Sequence, residues 1–333
     1  MATTYRAVML TKKGGPEVLQ IVELPIEQPG PGQLRVRVRA AGVGSTDLAM
    51  LAGNYPFAPK IPFVPGYEVA GVVEAIGTDV TGFELGRRVA ALTVHGGFAE
   101  LLVREAEQFL PIPDGVSDRD AAAVILNYVT AWQMIHRVAN VQPGQTALVT
   151  GAAGGAGTAA LQLLRLAGAK AYGAASASKH DTLRSLGATP VDYRAGSIDR
   201  LTRALEPRGV DHVFDAIGGS NIGPCISAVR RGGTVVGFGF MGAPGVLSKL
   251  TTFGSLFVSA RLRRRRGTFY GITMLYQKDP NPLREDLPKI FTLLTEKKID
   301  PLVNRTFPLL AARQAIEFLA TGSVAGKIVL LND

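Results

Sequence analysis

The stretch "LVTGAAGGAGTAAL" sets Gly151, Gly154, Gly155 and Gly157 between an apolar strand-like run and a run of good helix formers. Glycines in that place suit a dinucleotide pyrophosphate. They permit a tight turn and close backbone approach, while the following helix offers free N–H groups and the positive end of its dipole. Glycines also serve plain tight packing, so the surrounding strand-turn-helix-strand order carries the reading. An acidic residue about 20 positions on would bind the ribose hydroxyls of NAD. Here the count from Gly157 reaches Ser176 in "AASASKH", and no Asp or Glu appears before Asp181. Ser176, Ser178 and Lys179 instead offer hydroxyls and a cation suited to a 2′-phosphate, which points to NADP(H). If Lys179 only decorates a helix start, cofactor choice stays open.

Those residues need a scaffold, and the chain alternates accordingly. "TALVTG", "AKAYGAAS", "PVDYR", "VDHVFDAIGG" and "TVVGFGF" read as buried strands separated by helical stretches such as "TAALQLLRLA", which ends at Gly168. Repeated alternation of this kind predicts a Rossmann-type doubly wound parallel sheet over 126–266. Ahead of it, "LRVRVRAAGV" alternates apolar and charged residues over 34–38, and "YEVAGVVEAIG" and "RRVAAL" behave alike. Residues 1–125 are therefore expected to form a mostly β unit, closed by a helix capped at Ser117 or Asp118. Segment 267–333 departs from the alternation and is expected to return to the first unit. "RGTFYGIT" at 266–273 reads as a strand at the far edge of the parallel sheet.

Length and composition set outer limits. At 333 residues the chain exceeds the size at which single cores stop growing, so two domains are expected. One cysteine, Cys225, excludes an internal disulfide and any Cys-cluster zinc site. The longest apolar run, "AAAVIL" at 121–126, falls far short of a membrane span, and the N-terminus carries no signal-like apolar block. A cytoplasmic protein with no integral membrane segment is expected. The net charge is +9, part of it in "RLRRRR" at 261–266. With no aromatic platform or recognition helix beside it, that run reads as a solvated basic loop, and no nucleic-acid partner is expected.

"LNYVTAWQMI", "VQPGQTALVTGAAGGAGTAALQL", "FVPGYEVAGVVEAIG" and the final "GKIVLLND" together resemble the medium-chain dehydrogenase/reductase superfamily. The likeness is to its zinc-independent quinone oxidoreductase-like branch, with VAT-1-like and zeta-crystallin-like members, and covers essentially the whole chain. It implies a GroES-like catalytic domain formed from both termini, a Rossmann NADP-binding domain between them, and a homodimer joined near the 266–273 edge. Gly154, Gly155 and Ala156 match the pyrophosphate turn, and Ser176 and Lys179 the phosphate contacts. Tyr193 matches an aromatic beside the adenosine end, Thr130 a residue near the nicotinamide ribose phosphate, and Gly218, Gly237, Phe238 and Phe240 the nicotinamide-side loops. Metal-dependent relatives place Cys-His in the loop matching Gly44 and Ser45, and a His where Tyr67 stands before Glu68. With those ligands absent, zinc polarisation of a carbonyl is chemically unavailable. Many quinone reductases carry Asn at the position of Gly44 or Ser45, and this sequence does not.

Such a resemblance implies hydride transfer from NADPH to a small hydrophobic quinone or an unsaturated carbonyl. Without a metal, the developing oxygen anion must be met by hydrogen-bond donors in a preorganised site. Tyr55, Tyr67, Asn127 and Tyr128 are the candidates, each of them equally a core residue with a satisfied polar group. A tyrosine is protonated at neutral pH and able to donate. Asp47 either orients groups in the cleft or caps the helix of "LAMLAG". Two alternatives stand beside quinone or enone reduction: an enoyl-thioester reductase, and an NADPH-binding protein without turnover, crystallin-like or vesicle-associated. The short-chain dehydrogenase pattern fails for want of a Tyr-x-x-x-Lys pair.

Overall fold

The computed structural model describes residues 3–243 and 245–332, and the chain divides into two compact units, Met1–Leu126 with Asn281–Asp333, and Asn127–Pro280. In the first, the organising strand is Gln33–Val43. It pairs antiparallel with Glu68–Ile76, with Leu101–Glu105 and with the last strand, Lys327–Leu331. The alternation over 34–38 has its expected meaning: Leu34, Val36 and Val38 are fully buried, while Arg35 and Arg37 reach across to Glu74 on the neighbouring strand. From Ala40 to Val43 every residue is buried. There the last strand lies alongside, in the register Ile328↔Val43 to Leu331↔Ala40, which brings Lys327 beside Gly44.

The second unit is a six-stranded parallel sheet in the order Thr189–Asp192, Lys170–Ala175, Thr146–Thr150, Val210–Asp215, Val229–Gly237, Arg266–Phe269. The first strand in sequence sits centrally with the second on one side and the fourth on the other, the doubly wound order whose switch point binds dinucleotides. Its strands are continuously apolar because helices cover both faces; Leu148, Val213, Val235, Ile226 and Leu256 form one core. The GroES-like and Rossmann readings of the fold class hold.

Local chemistry fixes the element ends. The helix Asp118–Trp132 is capped by Ser117, whose Oγ accepts the Asp120 N–H at 3.0 Å, while Asp118 is free to pair with Arg88. Gly168, at φ +70°, closes the helix Gly155–Leu166 with its N–H on the Arg165 carbonyl. The edge strand is shorter than expected. It runs Arg266–Phe269, and Gly271 begins a helix, Ile272–Lys278, where a strand to 273 was predicted. No helix among the described residues is long and apolar enough to cross a membrane.

Candidate functional site

In the second unit, strand Thr146–Thr150 ends at the turn Gly151–Gly154, and helix Gly155–Leu166 begins immediately. Gly151 has φ +62°, and its carbonyl accepts the Gly154 N–H at 3.0 Å. A Cβ at Gly157 would collide with the Gly151 carbonyl and the Ala152 backbone, and one at Gly155 with the Asn127 amide nitrogen. The turn is therefore a cradle that needs glycine at 151, for its positive φ, and at 157, for lack of room. Gly154, Gly155 and Ala156 stay accessible at the helix N-terminus, where the first-turn N–H groups have no helical acceptor. These residues fit a pyrophosphate. Asn127, expected beside the reacting atoms, packs against Gly155 at this turn.

Ser176 follows the strand Lys170–Ala175 and is nearly buried. Its Oγ lies 3.2 Å from that of Ser178, and its carbonyl accepts the Lys179 N–H at 2.9 Å. Partial burial draws the Lys179 ammonium down from its ordinary range, a cost that a nearby anion would offset. Tyr193 stands half-exposed after the strand Thr189–Asp192, with the Arg194 guanidinium over its ring at 5.9 Å. Thr130 is buried in the helix Asp118–Trp132.

Across the switch point, Asp215 ties the ends of two strands together. Its fully buried carboxylate accepts from Thr150 Oγ1 at 2.5 Å, the Gly218 N–H at 2.8 Å and Asn221 Nδ2 at 2.7 Å. Gly218 is held at φ +64°. The Phe238 N–H bonds to the Asp215 carbonyl, and strand Val229–Gly237 stops there, leaving Phe238 and Phe240 beyond it. Phe240 stacks on Phe269 with ring centres 4.9 Å apart. Asp215 was missed by sequence reasoning, although an Asp closing a strand ahead of a Gly-Gly pair in "VDHVFDAIGG" was the available signal. Cys225 sits beneath it, fully buried, and burial next to Asp215 pushes its thiol well up, so it is inert as a nucleophile.

The first unit brings two of the expected tyrosines together. Tyr55 and Tyr67 hydroxyls are 2.7 Å apart, and their rings meet edge to face at 6.0 Å. Tyr67 is buried and Tyr55 partly exposed; Tyr128 is buried. Below them the loop at Gly44 is built on charge. Asp47 Oδ2 accepts the Gly44 N–H at 2.8 Å, so this residue caps the helix Ser45–Leu51. Its other oxygen has no hydrogen-bond partner within 3.5 Å among the described residues, and the side chain is fully buried. Burial lifts its pKa to about 7, against the pull of the Gly44 N–H and of Lys327. Glu68, also fully buried, holds the Lys327 ammonium with one oxygen and the Leu126 N–H, at 2.5 Å, with the other. A Cβ at Gly44 would come 3.8 Å from Lys327 Nζ. Lys327 was not foreseen, because it arrives from the far end of the chain.

No group of three or more His, Cys, Asp or Glu among the described residues is arranged to hold a metal ion. The donor types agree: Gly44 and Tyr67 offer neither thiolate nor imidazole, and Cys225 lies in the other unit.

Residues 30–114 match the alcohol dehydrogenase GroES-like domain family and residues 186–330 the zinc-binding dehydrogenase family. A quinone oxidoreductase of Pseudomonas aeruginosa is 33% identical over 98% of this chain and 99% of its own length. The chain therefore belongs to the medium-chain dehydrogenase/reductases, in the zinc-independent quinone oxidoreductase-like branch, a family of NADP(H)-binding oxidoreductases. It is also 31% identical to the human synaptic vesicle membrane protein VAT-1 homolog-like, over 99% of this chain and 81% of that protein. A mycobacterial protein solved in complex with NADPH superposes with a TM-score of 0.84 at 28% identity, covering 98% of this chain and 99% of its own.

Proposed function

We propose that this protein is an NADPH-dependent reductase that passes hydride to a quinone or an activated alkene, an enone or enal, without zinc. The observation that carries the reading is the Tyr55–Tyr67 hydroxyl pair, 2.7 Å apart, in which Tyr67 holds the sequence position where zinc relatives carry an imidazole ligand. When bound, NADPH supplies the hydride. The amides of Gly154, Gly155 and Ala156 hold its pyrophosphate, and Ser176, Ser178 and Lys179 its 2′-phosphate. Tyr193 lies beside the adenosine. Thr130, Gly218, Gly237, Phe238 and Phe240 bound the nicotinamide half, with Asn127 supporting the turn. Tyr55, oriented by Tyr67, donates a hydrogen bond to the oxygen on which charge develops and then its proton, so that one hydride and one proton complete the reduction. Asp47 positions the loop beneath them.

The assembly that fits this reading is a homodimer. The strand Arg266–Phe269 is an open sheet edge, and Leu247, Leu250, Phe257, Val258 and Leu262 beside it are large, apolar and more than half exposed. Sedimentation at micromolar concentration should give twice the chain mass; a monomer would refute this part.

The test of activity is NADPH oxidation against a panel of quinones, enones, enals and enoyl thioesters. Turnover on quinones or enones, with kcat for Tyr55→Phe reduced at least about a hundredfold, is expected. Tight NADPH binding with no turnover on any acceptor would sink the enzymatic reading. Turnover confined to thioesters would reassign the substrate class.

A further inference from the structure

A cavity of about 180 Å³ opens in the first unit, lined in part by Tyr5, Glu27, Arg35, His95 and Arg104. Arg104 lies on the strand Leu101–Glu105 and is only partly exposed, yet no carboxylate among the described residues pairs with it. Among the described residues its guanidinium is held by neutral acceptors. Nη1 donates to the Val103 carbonyl at 2.9 Å, and Nη2 to the His95 carbonyl at 3.1 Å, with His95 Nδ1 3.4 Å away. Gly96 makes room for it: at φ +96°, any Cβ there would lie 2.6 Å from Nη2. The wall is thus shaped around a cation with which no carboxylate among the described residues pairs. A guanidinium carries five N–H donors, and these contacts leave some of them unused.

The neighbours follow the same pattern. Burial draws Arg104 down from its ordinary range, and burial with Arg104 draws His95 down as well, so the imidazole is neutral and adds no competing charge. Burial and the Glu27 carboxylate raise Tyr5, which keeps its hydroxyl proton. Arg35 is already engaged by Glu74, the Glu27 carbonyl and Gln28. What faces the cavity is one uncompensated guanidinium, one phenolic donor and, at its exposed edge, one carboxylate, Glu27.

We propose that this cavity is a binding site for a small oxyanion, a carboxylate or a phosphate, seated on Arg104 with a hydrogen bond from Tyr5. Charge-assisted bonds to a planar guanidinium favour oxyanion geometry over chloride. Glu27 opposes the anion and limits its affinity. The site is independent of the hydride-transfer reading, since none of its residues belongs to the proposed cofactor or acceptor machinery.

Calorimetric titration of the full chain at pH 7 tests it, with inorganic phosphate and acetate as separate probes, ionic strength held by chloride, and NADPH present at saturation. Binding of either probe in the millimolar range is expected; phosphate alone would assign a dianion site and acetate a carboxylate site. Arg104→Met should weaken binding at least about tenfold, and Tyr5→Phe about threefold. Glu27→Gln should tighten it several-fold, and NADPH turnover should be unaffected by all three. Failure of both probes on the wild type, or an Arg104→Met protein that binds as the wild type does, overturns the proposal. Should that variant not fold, the Tyr5 and Glu27 variants decide, and an affinity unmoved by both would equally overturn it.

Discussion

The glycine turn of the second unit and the Gly44 loop of the first treat charge in opposite ways. The turn contains none: it is glycine and backbone, shaped by what a Cβ would hit at Gly155 and Gly157, and it leaves free N–H groups for an anion to come. The loop contains its counter-charges already. Glu68 and Lys327 pair, and Asp47 lies close enough to feel both. Both charges of the pair are buried, so their attraction is set against a desolvation penalty of several kcal/mol per ion. An open backbone cradle and a closed ionic cluster respond to substitution by different physics. The turn should fail in binding, and the loop in stability.

The largest effect should come from breaking the cluster. Lys327→Met leaves the fully buried Glu68 carboxyl without its cation, a loss of about 3–5 kcal/mol. Denaturant unfolding should show it as a fall in midpoint. The double variant Lys327→Met/Glu68→Gln removes both charges and should recover most of the loss. A single variant as stable as the wild type would show that the two regions do not differ in the way argued.

A second, smaller effect separates Asp47 from the pair by pH. Its folded pKa, about 7, lies above the ordinary 3.8, so the folded chain takes up this proton before the unfolded chain does. Stability from this group is greatest below pH 4, is lost as pH rises from about 4 to 7, and stays low above that. Asp47→Asn has no proton to lose and keeps an oxygen for the Gly44 N–H. The full shift corresponds to about 4 kcal/mol, reduced by the weaker neutral cap, which leaves a net gain of about 1–3 kcal/mol above pH 7. The variant should melt higher than the wild type at pH 8, with the gap closing toward pH 4. A gap that grows as pH falls would reverse the assignment.

The same contrast explains what the sequence disclosed. Gly151, Gly154, Gly155 and Gly157 lie within seven residues of one another, and Ser176 follows at the distance that one helix and one strand dictate, so the turn was readable from local order alone. The alternation over 34–38 likewise foretold the half-buried face of Gln33–Val43. The cluster draws on residues 47, 68 and 327, and only the register of the last strand against Gln33–Val43 brings the third beside the first two. No spacing rule reports an antiparallel pairing of that range. Asn127 shows an intermediate case: its residue type suggested a donor at the reacting atoms, and the fold sets its amide against the glycine turn at Gly155. The tyrosines were named by type, while their partnership across twelve positions depends on the loop between them, which has no periodic signature.

The smallest predicted effect tests whether the turn's selectivity resides at the end of the second strand, as the charge-free cradle requires. A pyrophosphate is common to NADH and NADPH, so Gly154–Ala156 cannot choose between them. Ser176, Ser178 and Lys179, which cluster at that strand end, are the groups proposed to do so. Ser176→Asp with Lys179→Ala supplies the ribose-binding carboxylate, repels a 2′-phosphate and removes a partly buried cation. Since Lys179 is only partly buried, solvent still screens its charge and its share is modest. The ratio of kcat/KM for NADPH to that for NADH should fall by about tenfold to a hundredfold, with the unfolding midpoint nearly unchanged. A ratio that stays put would place the choice of cofactor elsewhere. A large loss of stability would mean that this strand end, like the Gly44 loop, is held by its own charges.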